Sequence, residues 1–210
     1  MKFKLLALLA VVAVAVGAAL YGWWSMDLRW RPKEITRNQA EITKILEQSG
    51  WVSPGLAGPK LYMVGFRSCP DCVRFKLEQW PALHAAGVDT RLIEVALAEL
   101  NGIPQSTPVE RSTVAELWVN RSWALSQRWD ATPIDAWKAE GITPADTDVA
   151  RSAVIEAGRH MVEELRPLLR ANGVNFAYPL LIWWTRDGKM KGCACEKRET
   201  QGYALKDLTS

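Results

Sequence analysis

The sequence predicts an α/β protein: a βαβ unit, a helical insertion and a C-terminal β-hairpin, preceded by an apolar N-terminal helix. Three observations carry this reading. A Cys-x-x-Cys pair, Cys69-Pro70-Asp71-Cys72, stands between a short apolar run, Leu61 to Phe66, and an amphipathic segment, Val73 to Ala86. A second strand-like run, Val88 to Val95, follows the break at Ala86-Gly87. Near the C-terminus the run Leu180 to Trp184 meets a turn signal at Asp187-Gly188 and a returning strand that carries Cys193 and Cys195. Short apolar runs bounded by Gly, Asn and Asp read as strands, and longer runs of helical period as helices.

Of the 210 residues 49% are hydrophobic, which suits one globular domain with additions. The net charge is only +3, and no basic patch is interleaved with aromatic residues. Nucleic acid is therefore a poor candidate partner. Eleven Trp fill a core or a partner-facing groove and by themselves name no ligand.

At the N-terminus, Lys2 and Lys4 precede an uncharged apolar run from Leu5 to Trp24. A helix of that length rises roughly 30 Å, enough to span a bilayer. Tyr21, Trp23 and Trp24 would form an aromatic belt at its outer edge. Residues 1–24 thus read as a membrane anchor, the competing reading being a signal peptide cleaved near Val16-Gly17-Ala18. Either one exports the rest of the chain to an oxidising compartment, tethered or released. In that oxidising compartment four Cys are meaningful as redox or disulfide chemistry. Arg29, Arg31 and Lys33, just after the run, oppose this orientation mildly.

Residues 25–59 read as a juxtamembrane helix and loop. Ile35, Ile42, Ile45 and Leu46 recur near helical spacing and place a helix over Glu34 to Gln48, ended by Gly50. Two Pro and two Gly within Trp51 to Pro59 make a loop. The main domain then covers 60–210, with a helical insertion at about 99–172. The strand at Leu61 to Phe66, the helix after the Cys pair and the strand at Val88 to Val95 give a parallel pair with a right-handed crossover. Asn101 to Pro108 is loop. Ser112 to about Ala171 is mostly helical, with breaks near Thr132-Pro133 and Gly141 to Pro144. Thr before Pro reads as a helix start in both places. Val114, Leu117, Trp118 and Leu125, and later Val154, Met161, Leu165 and Leu168, form apolar faces for core packing. His84 and His160, the two histidines, read as ordinary helix residues. Asn172-Gly173 stops the helical region, the hairpin follows, and Thr200 to Leu208 reads as a short closing helix.

The Cys-x-x-Cys carries the chemistry. Two intervening residues bring both sulfurs within bonding range on the first turn of a helix. The unpaired N–H groups and positive dipole end there stabilise a thiolate. Cys69 is expected to be the exposed nucleophile and Cys72 the buried resolving thiol. Pro70 fits the opening turn, where its missing N–H has no helical partner to lose. Asp71, a carboxylate beside Cys69, disfavours the thiolate and raises its pKa, which makes the disulfide less oxidising. A Cys-x-x-Cys is also half of a zinc site, or a structural disulfide. Its place between strand and helix favours redox chemistry.

Strand, Cys-x-x-Cys helix, strand, helical insertion, Tyr178-Pro179, hairpin, helix: this order resembles the thioredoxin fold. The insertion makes the chain similar to the Dsb group of exported thiol–disulfide oxidoreductases, most like the catalytic domains of the disulfide isomerase branch. The resemblance covers Lys60 to Leu208. It rests on Ser68-Cys69-Pro70-Asp71-Cys72, on Leu165 to Trp184 and on the Asp187-Gly188 hairpin. It implies a cis proline at Pro179 facing the reactive pair, with a substrate-contact role for Pro179 and Tyr178. Tyr178 departs from the smaller residue usual before this proline. The branch also has an N-terminal dimerisation domain, for which Glu34 to Pro59 is too short. The resemblance implies no cofactor, cysteine-bearing envelope proteins as substrates, and a membrane redox partner.

Cys193 and Cys195 are not part of that family pattern. Two apart on a strand, they share a face, and in a thioredoxin fold this strand ends close to the Cys-x-x-Cys helix. They read as a second redox pair, as half of a four-thiolate metal site with Cys69 and Cys72, or as a disulfide closed on itself. Two other functions follow from these alternatives: a copper or zinc carrier, and a non-catalytic module docking through Trp-rich helices in an envelope assembly.

Overall fold

The computed structural model describes residues 2–25 and 30–209; the side chains of residues 2–8 and 10 lie outside it. The chain divides into two units, Met1–Arg31 and Pro32–Ser210. The first holds helix α1, Lys2–Trp23, so the apolar run is helical as predicted. Among the described residues, however, no helix is long and apolar enough to cross a membrane, and the expected anchor is not supported. Arg29 and the side chains of Lys2 and Lys4 lie outside the described residues.

The second unit is built on a five-stranded mixed sheet. Its strands are β1 (Lys33–Glu34), β2 (Lys60–Gly65), β3 (Asp89–Glu94), β4 (Leu180–Trp184) and β5 (Met190–Ala194), in the order β1-β5-β4-β2-β3. Only β2 and β3 run parallel, joined across one face by helix α3, Pro70–Ala85. The hairpin β4–β5 turns at Gly188, whose φ of 81° needs a residue without a side chain. The outer edge of β3 is taken up by Val52, which exchanges both backbone hydrogen bonds with Leu92 at 2.9 and 2.8 Å.

Strand alternation sorts the core into two layers. Leu61, Met63, Leu92, Leu181, Trp183 and Cys193 face α3 and the closing helix α7, Arg198–Thr209. Tyr62, Val64, Ile93, Leu180, Ile182 and Met190 face α2, Gln39–Gln48, and α6, Val149–Arg170. The insertion adds α4, Pro108–Asn120, and α5, Trp123–Ala131, on the α3 side. Trp118 of α4 is wedged between two glycines. A Cβ at Gly50 would meet its ring at 2.2 Å, and one at Gly158 would meet it at 3.1 Å. Its indole N–H donates to the Glu94 carbonyl at 2.8 Å.

Three boundaries differ from the sequence reading. The helix expected from Glu34 begins only at Gln39, because Ile35 N–H donates to the Met190 carbonyl at 2.8 Å and prolongs the pairing of β1 with β5. Asn38 then opens α2 from a left-handed φ of 58°. Neither Thr132 nor Thr143 starts an α-helix. The Thr132 hydroxyl donates back to the Arg128 carbonyl at 2.8 Å and closes α5 instead. The Thr-Pro that does open a helix is Thr107-Pro108, where Thr107 and Glu110 form a reciprocal capping box.

Candidate active site

Strand β2 delivers the chain to Phe66, whose carbonyl accepts the Cys69 N–H at 3.1 Å. Cys69 then caps α3, its sulfur accepting the Cys72 N–H at 3.1 Å. Pro70 occupies the first turn, as its ring allows. Cys69 and Cys72 are joined as a disulfide with Cα atoms 5.2 Å apart. Gly65 lies directly under the Cys72 sulfur, which would sit 3.1 Å from a Cβ at that position.

Cys72 is buried as expected, but Cys69 is only 2% exposed and not the open nucleophile that the sequence suggests. Its sulfur is turned inward, toward the Cys72 sulfur and the Cys72 N–H. The flanking Ser68 and Pro70 are both exposed, so the pair lies just beneath the surface. Asp71 also differs from expectation. Its carboxylate accepts from the Arg74 guanidinium at 2.5 Å, so its charge reaches Cys69 already compensated. Arg74 donates as well to the Glu196 carbonyl at 2.9 Å.

Sheet register brings the remaining candidates together. Val64 pairs with Leu180, and Leu180 with Ala194. One step on, Gly65, Pro179 and Cys195 form a row across three strands, with Cys195 N–H donating to the Pro179 carbonyl at 2.9 Å. The Tyr178–Pro179 bond is cis. The Tyr178 ring stands edge-on to Phe66 at 5.1 Å and to Phe176 at 5.2 Å. Burial raises the pKa of its phenol, with the Arg166 cation pulling the other way.

Cys193 and Cys195 are bonded to one another, and both are buried. With every sulfur engaged inside its own pair, the four-thiolate metal site does not form. Among the described residues no group of three or more His, Cys, Asp or Glu is arranged to hold a metal ion. Gln201 of α7 ties the two cysteine segments together. Its Nε2 donates to the Asp71 carbonyl at 3.2 Å and to the Cys195 carbonyl at 3.1 Å.

A charged cluster lies beside the pair in the interior. Lys76 Nζ meets Glu94 at 3.3 Å and Asp130 at 2.6 Å, and Arg67 reaches Asp130 at 3.4 Å. Burial raises the pKa of Glu94, opposed by the Lys76 cation. Glu110 is pushed up to about 7, mainly by burial and against its hydrogen bond from Thr107. Two hollows flank the site. One of about 200 Å³ is bounded by Arg67, Ser68, Glu110, Trp129 and Trp137 of the insertion side. The other, about 390 Å³, is bounded by Leu97, Arg159, Val162, Arg166 and Tyr178.

No family model and no curated protein matches the sequence. Solved structures do match. BcfH of Salmonella enterica Typhimurium is 15% identical with a TM-score of 0.54, over 99% of this chain and 92% of that one. A linker-deletion mutant of Proteus mirabilis ScsC is 14% identical with a TM-score of 0.51, over 99% and 94%. A periplasmic thioredoxin-like protein from Salmonella enterica serovar Typhimurium is 20% identical, at a TM-score of 0.47, over 83% and 100%. The fold is thioredoxin-like. Within this thioredoxin-like unit, sequence reasoning missed Arg74, Gln201 and the Lys76–Glu94–Asp130 cluster. Arg74 was within reach, since Asp71 and Arg74 stand at the i, i+3 spacing of a helical ion pair. Gln201 and Asp130 meet their partners only through tertiary packing.

Proposed function

We propose that the chain is an exported thiol–disulfide oxidoreductase of the reductase or isomerase type, acting on envelope proteins through Cys69-Pro70-Asp71-Cys72. The observation that carries this reading is the Cys69–Cys72 disulfide at the N-terminus of α3, beside the row formed by Gly65 and Pro179. In the reduced enzyme the Cys69 thiolate, stabilised by the Cys72 N–H, turns outward past Ser68 and Pro70. It attacks a substrate disulfide, forming a mixed disulfide and releasing one substrate thiolate. The Cys72 thiolate then attacks the Cys69 sulfur, which frees the second substrate thiol and restores the Cys69–Cys72 disulfide. No cofactor takes part. Pro179 and Tyr178 are assigned to substrate contact, and the hollows on either side take neighbouring substrate side chains.

A membrane protein bearing a dithiol re-reduces the pair. The periplasm is the compartment in which this chemistry is useful. Tethering to the inner membrane through residues 1–24 is supported by the uncharged run Leu5 to Trp24 alone. Residues 25–31 would then link the tether to the catalytic unit, in which β1, α2 and Val52 pack together with the domain at 60–210 and its insertion at about 99–172.

The test is trapping. Cys72→Ser is expected to accumulate mixed disulfides with envelope proteins through Cys69, and insulin reduction is expected to fall to background in Cys69→Ser. Absence of adducts, together with insulin reduction that survives Cys69→Ser, would sink the reading.

A further inference from the structure

We propose that Cys193 and Cys195 form a second redox centre, charged and discharged through the Cys69–Cys72 pair. The proposal rests on the reading of Cys69–Cys72 as the reactive pair and adds a store for two further electrons. Four observations lead to it. First, the two pairs are neighbours. Gln201 Nε2 bonds both the Asp71 and the Cys195 carbonyls, so these oxygens lie no farther than about 6 Å apart. Arg74 likewise joins the Asp71 side chain to the Glu196 backbone.

Second, the Cys193–Cys195 bond is a poor staple. It spans a sequence separation of 2 between residues already fixed by the pairing of β5 with β4. A cross-link that closes so short a loop removes little entropy from the unfolded chain. Third, Cys193 is 2% exposed and Cys195 0%, and whereas Cys69 lies between the exposed Ser68 and Pro70, neither of these two has an exposed neighbour in the chain, so a folded partner protein has no direct line to either sulfur. The thiols best placed to reach them belong to the same interior. Fourth, the Cys195 sulfur lies 3.6 Å from the Thr200 carbonyl, an acceptor ready for the S–H that reduction creates.

The exchange balances within the chain. With the first pair reduced, the Cys72 thiolate attacks the Cys195 sulfur, the Cys193–Cys195 bond breaks, and Cys193 leaves as a thiolate that takes up a proton. The Cys69 thiolate then attacks the Cys72 sulfur of the mixed disulfide. This closes Cys69–Cys72 and releases Cys195, which takes up the second proton. Two electrons and two protons have moved from the first pair to the second. An external dithiol reduces the first pair again, and the same steps in reverse return the stored electrons. Strand β4 intervenes between β2 and β5, so Gly65 and Cys195 stand about 10 Å apart across the row. The attack therefore needs the Cys69–Cys72 segment to swing toward Gln201.

Two measurements on the full chain test this. In Cys69→Ser/Cys193→Ser, held in an oxidising glutathione buffer, peptide mapping is expected to find an intramolecular Cys72–Cys195 disulfide in most folded chains. In the unsubstituted chain given dithiothreitol, acid quenching and alkylation should show Cys193 and Cys195 thiols appearing after those of the first pair. That appearance should slow at least tenfold in Cys69→Ser/Cys72→Ser. An equal rate in the two proteins overturns the proposal even where the first variant does not fold, and a folded first variant without the cross-link overturns it too. Insulin reduction by the unsubstituted chain separates the two claims. If it is present while both measurements fail, only the second centre is lost; if it is absent, the reading beneath it is lost.

Discussion

Arg74 decides how much negative charge Asp71 brings to the reactive pair. The 2.5 Å ion pair holds the carboxylate close to a cation at the helix entrance, and both side chains are about one-third exposed. Arg74→Ala leaves Asp71 uncompensated beside Cys69. The Cys69 thiol pKa is expected to rise by on the order of half a unit to one unit, read from thiolate absorbance against pH in a Cys72→Ser background. An unmoved midpoint would mean that Asp71 has no electrostatic hold on Cys69. Glu110 gives a second residue-scale prediction. Its pKa is raised in the folded chain to about 7, mainly by burial, so folding favours its neutral form. Stability is then greatest below the unfolded carboxyl value and falls as pH rises to about 7. Glu110→Gln keeps the capping geometry and removes the titration. Between pH 5 and pH 8 the variant is expected to lose about 1–2 kcal/mol less than the parent, a figure discounted for partial solvent screening. Urea denaturation at both pH values measures it.

At the scale of elements, what could be read from the sequence was whatever is encoded locally. Strand, Cys helix, strand, insertion and hairpin all announce themselves by period and by Gly or Asp punctuation, and each is present. The start of α2 was hidden because Ile35 takes its partner from Met190, far along the chain. Thr-Pro misled at 132 and 143 because the dipeptide signals a boundary without saying which side is helical; only at Thr107 does a Glu three residues on complete the cap. Of the site, the sulfurs and Pro179 were legible from motif and family resemblance. The burial of Cys69 and the bridging role of Gln201 depend on α7 docking beside α3. The packing of α4 on α6 yields another prediction. Trp118 fits only because Gly50 and Gly158 have no side chains. Gly50→Ala is expected to destabilise by about 1–3 kcal/mol through overpacking, read from denaturant midpoints, and Gly50→Ala/Trp118→Phe to recover none of it, because Phe keeps the Cα, Cγ and Cδ2 that the added Cβ would meet.

For the molecule as a whole, the buried charges are the joint between the core and its insertion. Lys76 of α3 answers Glu94 of β3 and Asp130 of α5 at once. Lys76→Met strands Glu94 among apolar atoms, and about 3–5 kcal/mol should be lost at pH 8. The loss should shrink as pH falls, because burial already favours the neutral form of Glu94. Lys76→Met/Glu94→Gln should regain most of it. A pH-independent loss would assign Lys76 a packing role only. The bond pair between Val52 and Leu92 has a consequence of a different kind. An open six-residue rim on β3 would be a template for stacking one molecule on the next. Val52 covers its middle, and the opposite border of the sheet ends in the two residues of Lys33–Glu34. Both borders of the sheet are thus blunted against edge-to-edge addition of a second molecule, for as long as the loop around Val52 stays in place.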